Sequence, residues 1–361
     1  MKKHVWVSSI FLIVGGIGIL FCLFTQNFQD SGKNYTNNWQ FTNEEFANLD
    51  LSSEKNVAIN IEEADVEKPT VTISGKLSNR EIQDLKPTSS KNSTEIKIGT
   101  FRTWLERWHL PAYGTQKVRV KVPKDYSFKT LSAKLNNGNV HINELTGEGL
   151  SIRLSNGDFV GEQSAFKNAK ITTKSAGTDL TNWTGNIALV SSSGNQIVKD
   201  STGDFSLHNS DGMSQVHRQK AEKGEIDNTS GKVITTRIKS GLLTIDSQNG
   251  TNIIEQLEGK LFLTSLNGKS ILRANYGEQI VESKNGDIIV EENAVSGNMN
   301  IKSENGLIKM TLSNDYHQEK FQIVAPHGQV TSDFLWQDNA KNATVKIQTL
   351  RGEVKVLEGD A

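Results

Sequence analysis

One glycine recurs along this chain at an almost fixed interval. Gly138, Gly157, Gly177, Gly194, Gly212, Gly231, Gly250, Gly268, Gly286 and Gly306 stand 19, 20, 17, 18, 19, 19, 18, 18 and 20 residues apart. A unit this short cannot enclose a core of its own, so each copy must lie against the next. Six of these ten glycines follow an asparagine: Asn137, Asn156, Asn249, Asn267, Asn285 and Asn305. Asn-Gly accepts positive φ at both positions, which predicts a tight turn in each unit.

The apolar residues keep step with the glycine. Five places before it stand Ala133, Ile152, Thr172, Leu189, Leu207, Ile226, Ile245, Leu263, Val281 and Ile301. Seven before it stand Leu131, Leu150, Ile187, Phe205, Leu243, Leu261 and Met299, with Lys170, Gly224 and Gln279 as exceptions. Places two apart share one face of a strand. The same face three before the glycine carries Ser191, Asn209, Asn228, Ser247, Ser265, Ser283 and Ser303, small polar groups suited to an inward corner. Phe262, Ile280 and Val190 fall on the outward places and break the alternation. A second strand follows each glycine, and a second turn follows that, often at glycine (Gly147, Gly185, Gly203, Gly241, Gly259, Gly277, Gly297).

The expected fold is therefore all-β: a parallel β-solenoid with two strands per coil of about nineteen residues, its coils roughly 4.8 Å apart and the stack about 50 Å long. Proline agrees. Pro69, Pro87, Pro111, Pro123 and Pro326 leave residues 124–325 free of it, and strands paired on both sides cannot lose an N–H. An antiparallel sandwich of Asn-Gly hairpins is the alternative, but it has no reason to hold one apolar column through ten units.

The flanks read differently. Val5–Phe24 is twenty uncharged residues behind Met1-Lys2-Lys3-His4, the length of a membrane helix with its short end in the cytoplasm. A cleaved signal peptide would have a shorter core and a small-x-small site. A lipid-attached Cys22 would follow a small residue, and Phe21 stands there. An uncleaved anchor is the favoured reading. The expected domains are 1–25 anchor, 26–48 polar linker, 49–125 β cap region, 126–312 solenoid, and 313–361 an irregular insert with a final coil around Gly352. Phe101, Trp104, Leu105 and Trp108 stand at helical spacing and predict a short helix over the solenoid's end.

Chemistry is sparsely signalled. A net charge of −1 favours no nucleic acid, and Cys22 is the only cysteine, so no disulfide forms within the chain. The seven histidines show no metal spacing, and no phosphate loop or nucleophile elbow is present. No catalytic, cofactor or metal residue is assigned, and no cofactor is expected. One constellation bears weighing: His208, Asp227 and Asp246 share a place on successive coils, with Glu225 beside them. Stacked carboxylates would raise one another's proton affinity, although a solvated polar column is the plainer reading.

The entry "VAINIEEADV…TVTISG", the "VKVP" before the repeats and the serial "SNGD", "TSLNGK", "SKNGDI" and "SENGLI" phrases resemble the bacterial "putative adhesin" domain family. The resemblance covers roughly residues 49–357. It implies a β-helix-like fold on a membrane-anchored extracytoplasmic protein, linked in Gram-positive bacteria to cell-envelope stress systems, and it transfers no catalytic residue. The expected function is thus a non-catalytic surface protein, single-pass in the cell membrane through Val5–Phe24, meeting wall polymer or another surface protein. A regulator of an envelope-stress signalling system and a glycan-cleaving β-helix enzyme are the alternatives.

Overall fold

The computed structural model describes residues 32–99, 114–292, 297–313, 320–338 and 343–359. The expected anchor at Val5–Phe24 and the aromatic stretch Phe101–Trp108 lie outside these residues. Among the described residues no helix is long and apolar enough to cross a membrane.

The repeat folds as a parallel β-solenoid. The strands β7 (Ser127–Asn143), β8 (Thr146–Glu162) and β9 (Ala165–Thr181) each run through one corner and stack in parallel. The inner column runs Ala133–Ile152–Ile171–Leu189–Leu207–Ile226 by direct register. Further on it runs Leu263–Val281–Ile301–Ile347. Leu207, Ile226, Ile245 and Leu263 are each 0 % exposed. Neighbouring coils thus remove each other's aliphatic side chains from water, worth roughly 1.5–3 kcal/mol per residue.

The sequence alignment slips in one unit. Ala176, not Gly177, stands opposite Gly157 at the corner. The inward residues of that coil are then Ala169 and Ile171 rather than Lys170 and Thr172, and both are buried. With Ala176 in place the two exceptions vanish. Gly224 is also explained: an added Cβ would lie 2.4 Å from the Phe205 ring on the coil before it.

The Asn-Gly corner is not a two-residue reverse turn. The asparagines keep negative φ, while most corner glycines turn positive, Gly250 at +140° for example, though Gly286 and Gly306 do not. Strands continue through most corners and break at Gly194, Gly286 and Gly306, and the glycine lets the backbones of successive coils approach. The asparagines form a ladder instead: Asn305 Nδ2 donates to Asn285 Oδ1, Asn285 to Asn267, and Asn267 to Asn249, each at 2.9 Å. The small polar residues expected inside the corner are there. Ser283 and Ser303 accept from the Gly286 and Gly306 N–H at 2.9 and 3.0 Å, and Asn209 Nδ2 donates to the Gly194 carbonyl of the neighbouring coil.

The second corner carries a feature that composition conceals. Glu144, Gln163, Asn182, Asp200, Arg218, Arg237, Gln256 and Ala274 each lie in the left-handed region, with φ between 47° and 57°. Each stands six residues past a first corner. Their N–H groups remain in the ladder; that of Ala274 donates to the Glu291 carbonyl at 3.1 Å. The left-handed conformation costs an L-residue roughly 1–2 kcal/mol, offset in part by glycine's greater chain entropy. Ala274→Gly is therefore expected to raise stability by about 0.5–1 kcal/mol in urea unfolding. An unchanged midpoint would show that the conformation carries no strain here.

Both ends depart from sequence order. β2 (Asn48–Glu63) stacks on β7, so the solenoid begins inside the segment expected to cap it or begin it. On its other side lie β5 (Ser93–Ile98) and β6 (Gln116–Val122). At the far end β21 (Val345–Thr349) and β22 (Val354–Glu358) lie between β16 (Met299–Ser303) and β17 (Ile308–Leu312) on one side and β18 (Phe321–Val324) and β19 (Val330–Ser332) on the other. The expected irregular insert thus supplies an outer rung. In the expected linker, β1 (Lys33–Gln40) pairs antiparallel with β3 (Thr70–Leu77). Its eight residues include three asparagines, so the open edge of β3 rather than its own propensity makes it a strand.

A short helix, α1 (Asn79–Asp84), follows β3 with a capping box between Ser78 and Glu81, and Glu81 pairs with Lys55. Burial pushes the Glu81 carboxyl up, but Lys55 and the Ser78 groups outweigh it and hold it below its ordinary value. A depressed folded pKa stabilises above the unfolded pKa and loses that contribution as pH falls through the folded one. Glu81→Gln should remove this part of the acid dependence; an unaltered acid limb of the pH–stability curve would refute it.

Candidate binding surfaces

The stack turns two flat faces to solvent. On the first, the outward places lie six and four residues before each corner. On the second, they lie three and five residues after it. Because the coils are in register, each place becomes a column of side chains up the stack.

On the first face one column runs Val190–His208–Asp227, and its continuation runs Thr264–Glu282–Lys302–Gln348. His208 Nδ1 lies 2.8 Å from Asp227 Oδ2, both side chains nearly half exposed. This is the contact the sequence foresaw. Such an exposed pair is worth about 0–1 kcal/mol. Asp246, the third expected member, lines an open groove at the corner with Glu282, Lys284, Lys302 and Glu304. Glu282 stands directly opposite Lys302, so opposite charges face each other across the rungs there. Among the described residues no three His, Cys, Asp or Glu side chains are grouped to hold a metal ion. Val190 and Phe262, which broke the alternation, do point outward, each 37 % exposed.

The second face carries Ile197, Ile234, Ile271 and Ile289 half-buried in one column. Beside it lies an ionic column. Arg273 donates to Glu255 on one side at 2.7 Å and Glu291 on the other at 2.8 Å. At the adjoining corner Lys260 meets Glu278 at 2.8 Å. Nearer the middle the signs cease to alternate. Lys199, His217, Arg218, Lys220, Arg237 and Lys239 crowd three successive coils. Arg218 is held in a two-pronged contact by Asp200, whose carboxyl is lowered from its ordinary value first by that contact. His217 is pushed below its ordinary value, first by burial and then by Arg218, with Arg237 and Lys199 adding to it. This cationic corner was missed in the sequence. Comparing charge sign at places five, six and eight after each corner would have found it.

The fold and its faces can be set beside known proteins. A family model described as Toastrack DUF4097 matches residues 46–204 and again 198–357. The chain belongs to the Toastrack DUF4097 family. Two adjoining matches mean that this Toastrack chain carries the pattern twice, and the second begins at Val198, inside the cationic corner. No curated protein matches the chain significantly. Among solved structures, a "putative cell adhesion protein" from Clostridium sporogenes is 8 % identical, with 91 % of this chain and 100 % of that one covered at a TM-score of 0.25. "Putative adhesins" from Bacteroides fragilis and Parabacteroides distasonis are 14 % and 13 % identical. They cover 78 % and 77 % of this chain and 97 % of their own, at TM-scores of 0.28 and 0.31. Overlaps that loose define neither fold nor activity for this Toastrack protein; the family match does the placing.

Proposed function

We propose that this chain is a non-catalytic, membrane-anchored surface protein whose solenoid stands outside the cell membrane and binds envelope material through its flat faces. One observation supports it above others: outward side chains lie in unbroken columns over coil after coil. Such a surface suits an extended partner with a repeat of its own better than a small molecule. Anchoring rests on the twenty uncharged residues Val5–Phe24 behind Lys2 and Lys3.

The test is retention on purified fractions. A soluble form must begin at or before Gly32, since a later start strips β1 from β3. Incubated with wall and membrane fractions, it should sediment with one of them and release no reducing sugar ends. Absence from both pellets would end the surface-binding reading, and liberated sugar ends would end the non-catalytic one.

A further inference from the structure

We propose that the corner formed by Lys199, His217, Arg218, Lys220, Arg237 and Lys239 is a binding site for a linear phosphate-bearing polymer. The inference rests on the surface-binding reading and names a partner chemistry for it.

Register brings these residues together. Lys199 stands opposite His217, and His217 opposite Thr236, beside which Arg237 follows. Arg218 N donates to the Thr236 carbonyl at 3.0 Å, and Lys239 N to the Gln219 carbonyl at 2.9 Å. Arg218 and Arg237 thus occupy one place on neighbouring coils, and Lys220 and Lys239 another. Like charges on directly neighbouring strands repel. Single like-signed neighbours occur elsewhere, as at Lys134 with Arg153 and Lys309 with Lys355. Here two places carry them at once, Arg218 with Arg237 and Lys220 with Lys239.

The acids near this corner lie at its margins. Asp179 is 3.5 Å from Lys199, Asp200 holds Arg218, and Glu258 is 3.0 Å from Lys239. Among the described residues the Arg237 side chain donates to the neutral Gln256 side chain, at 3.1 Å, and meets no acid. The side chains are open to solvent, Arg218 at 49 % and Lys239 at 70 %. A ligand anion could take over these surface ion pairs at little cost, since each is worth about 0–1 kcal/mol.

The geometry favours phosphate on a thread. Arginine's planar fork binds phosphate oxygens in pairs, and lysine adds point charge. The cations climb the stack as a narrow stripe about three rungs, or roughly 10 Å, long. Along the stack Asp179 and Asp200 close one end of the stripe and Glu255 and Glu258 the other, so it has room for a short run of phosphates rather than for a broad anionic sheet.

The probe is inorganic polyphosphate, titrated into the full chain in detergent over a salt series. Binding that weakens with salt is expected. Lys220→Gln with Arg237→Gln should lower affinity at least about tenfold and flatten the logarithmic salt slope by about 1.4, near 0.7 for each phosphate no longer neutralised. The control, Lys309→Gln with Lys355→Gln, removes equal charge from the far end of the same face and should change affinity less than about twofold. No binding, equal losses in both double variants, or capture by phosphatidylglycerol vesicles but not by polyphosphate would each overturn the assignment. Wall retention that persists without polyphosphate binding would overturn this site alone and leave the surface-binding reading standing.

Discussion

Gly250→Ala is expected to open the middle of the stack. The added Cβ would sit 1.8 Å from the Gly231 carbonyl oxygen, and the φ of +140° is one that side-chain-bearing residues rarely adopt. The neighbour it would strike is backbone, itself packed in the same way against Gly212, so no side chain can swing aside. Conformational strain of about 1–3 kcal/mol adds to overpacking of about 1–3 kcal/mol, giving a loss of about 2–6 kcal/mol. In a stack held by nearest neighbours the damage should be local. Hydrogen exchange should quicken over the coils around residues 226–272 before it does so near Leu150. Gly177→Ala is the contrast. Its Cβ would meet only the Asp158 carboxylate tip, at 2.7 Å, and its φ is not left-handed. That change should cost below about 1 kcal/mol. Equal losses at Gly177 and Gly250 would mean that corner packing is not what the glycines are for.

Trp183→Ala should cost about 3–5 kcal/mol, the range for a buried large aromatic cut to alanine. Trp183 is 0 % exposed and stacks on Phe166 with ring centroids 5.6 Å apart. Space is reserved for it: a Cβ on Gly161 would lie 3.0 Å from the indole. Its indole N–H has no hydrogen-bond partner among the described residues. Trp183→Phe should therefore cost much less than alanine, because no hydrogen bond disappears with the nitrogen. Denaturant unfolding of both variants checks this. A phenylalanine variant as unstable as the alanine one would show that the N–H is satisfied after all.

How far the fold could be read from sequence depended on how often a signal was repeated. The inner column from Leu189 to Ile301 was legible because each coil states it again. A single wrong glycine, Gly177, displaced one unit only. The left-handed second corner was not legible, since Glu144, Gln163, Arg218 and Ala274 share no chemistry. Their conformation is imposed by the coils above and below. β1 was hidden for a related reason: Tyr35 is buried, but Asn34, Asn37 and Asn38 mask the alternation, and the partner strand supplies the order. Of the surface, the His208–Asp227 contact was foreseen because one place was followed up the stack. The cationic corner needed three places followed together, across the second turn.

The out-of-order rungs at the two ends bear on how the molecule comes apart. Val345–Glu358 has a neighbour on each side, as does Asn48–Glu63, so neither chain-terminal coil can be peeled away from an open lip. Each must be drawn out like a drawer, shearing two ladders together. A carboxypeptidase nibbling inward should halt near Leu357, and a tug from the other end strips β1 from β3 before it meets a bolt at β2.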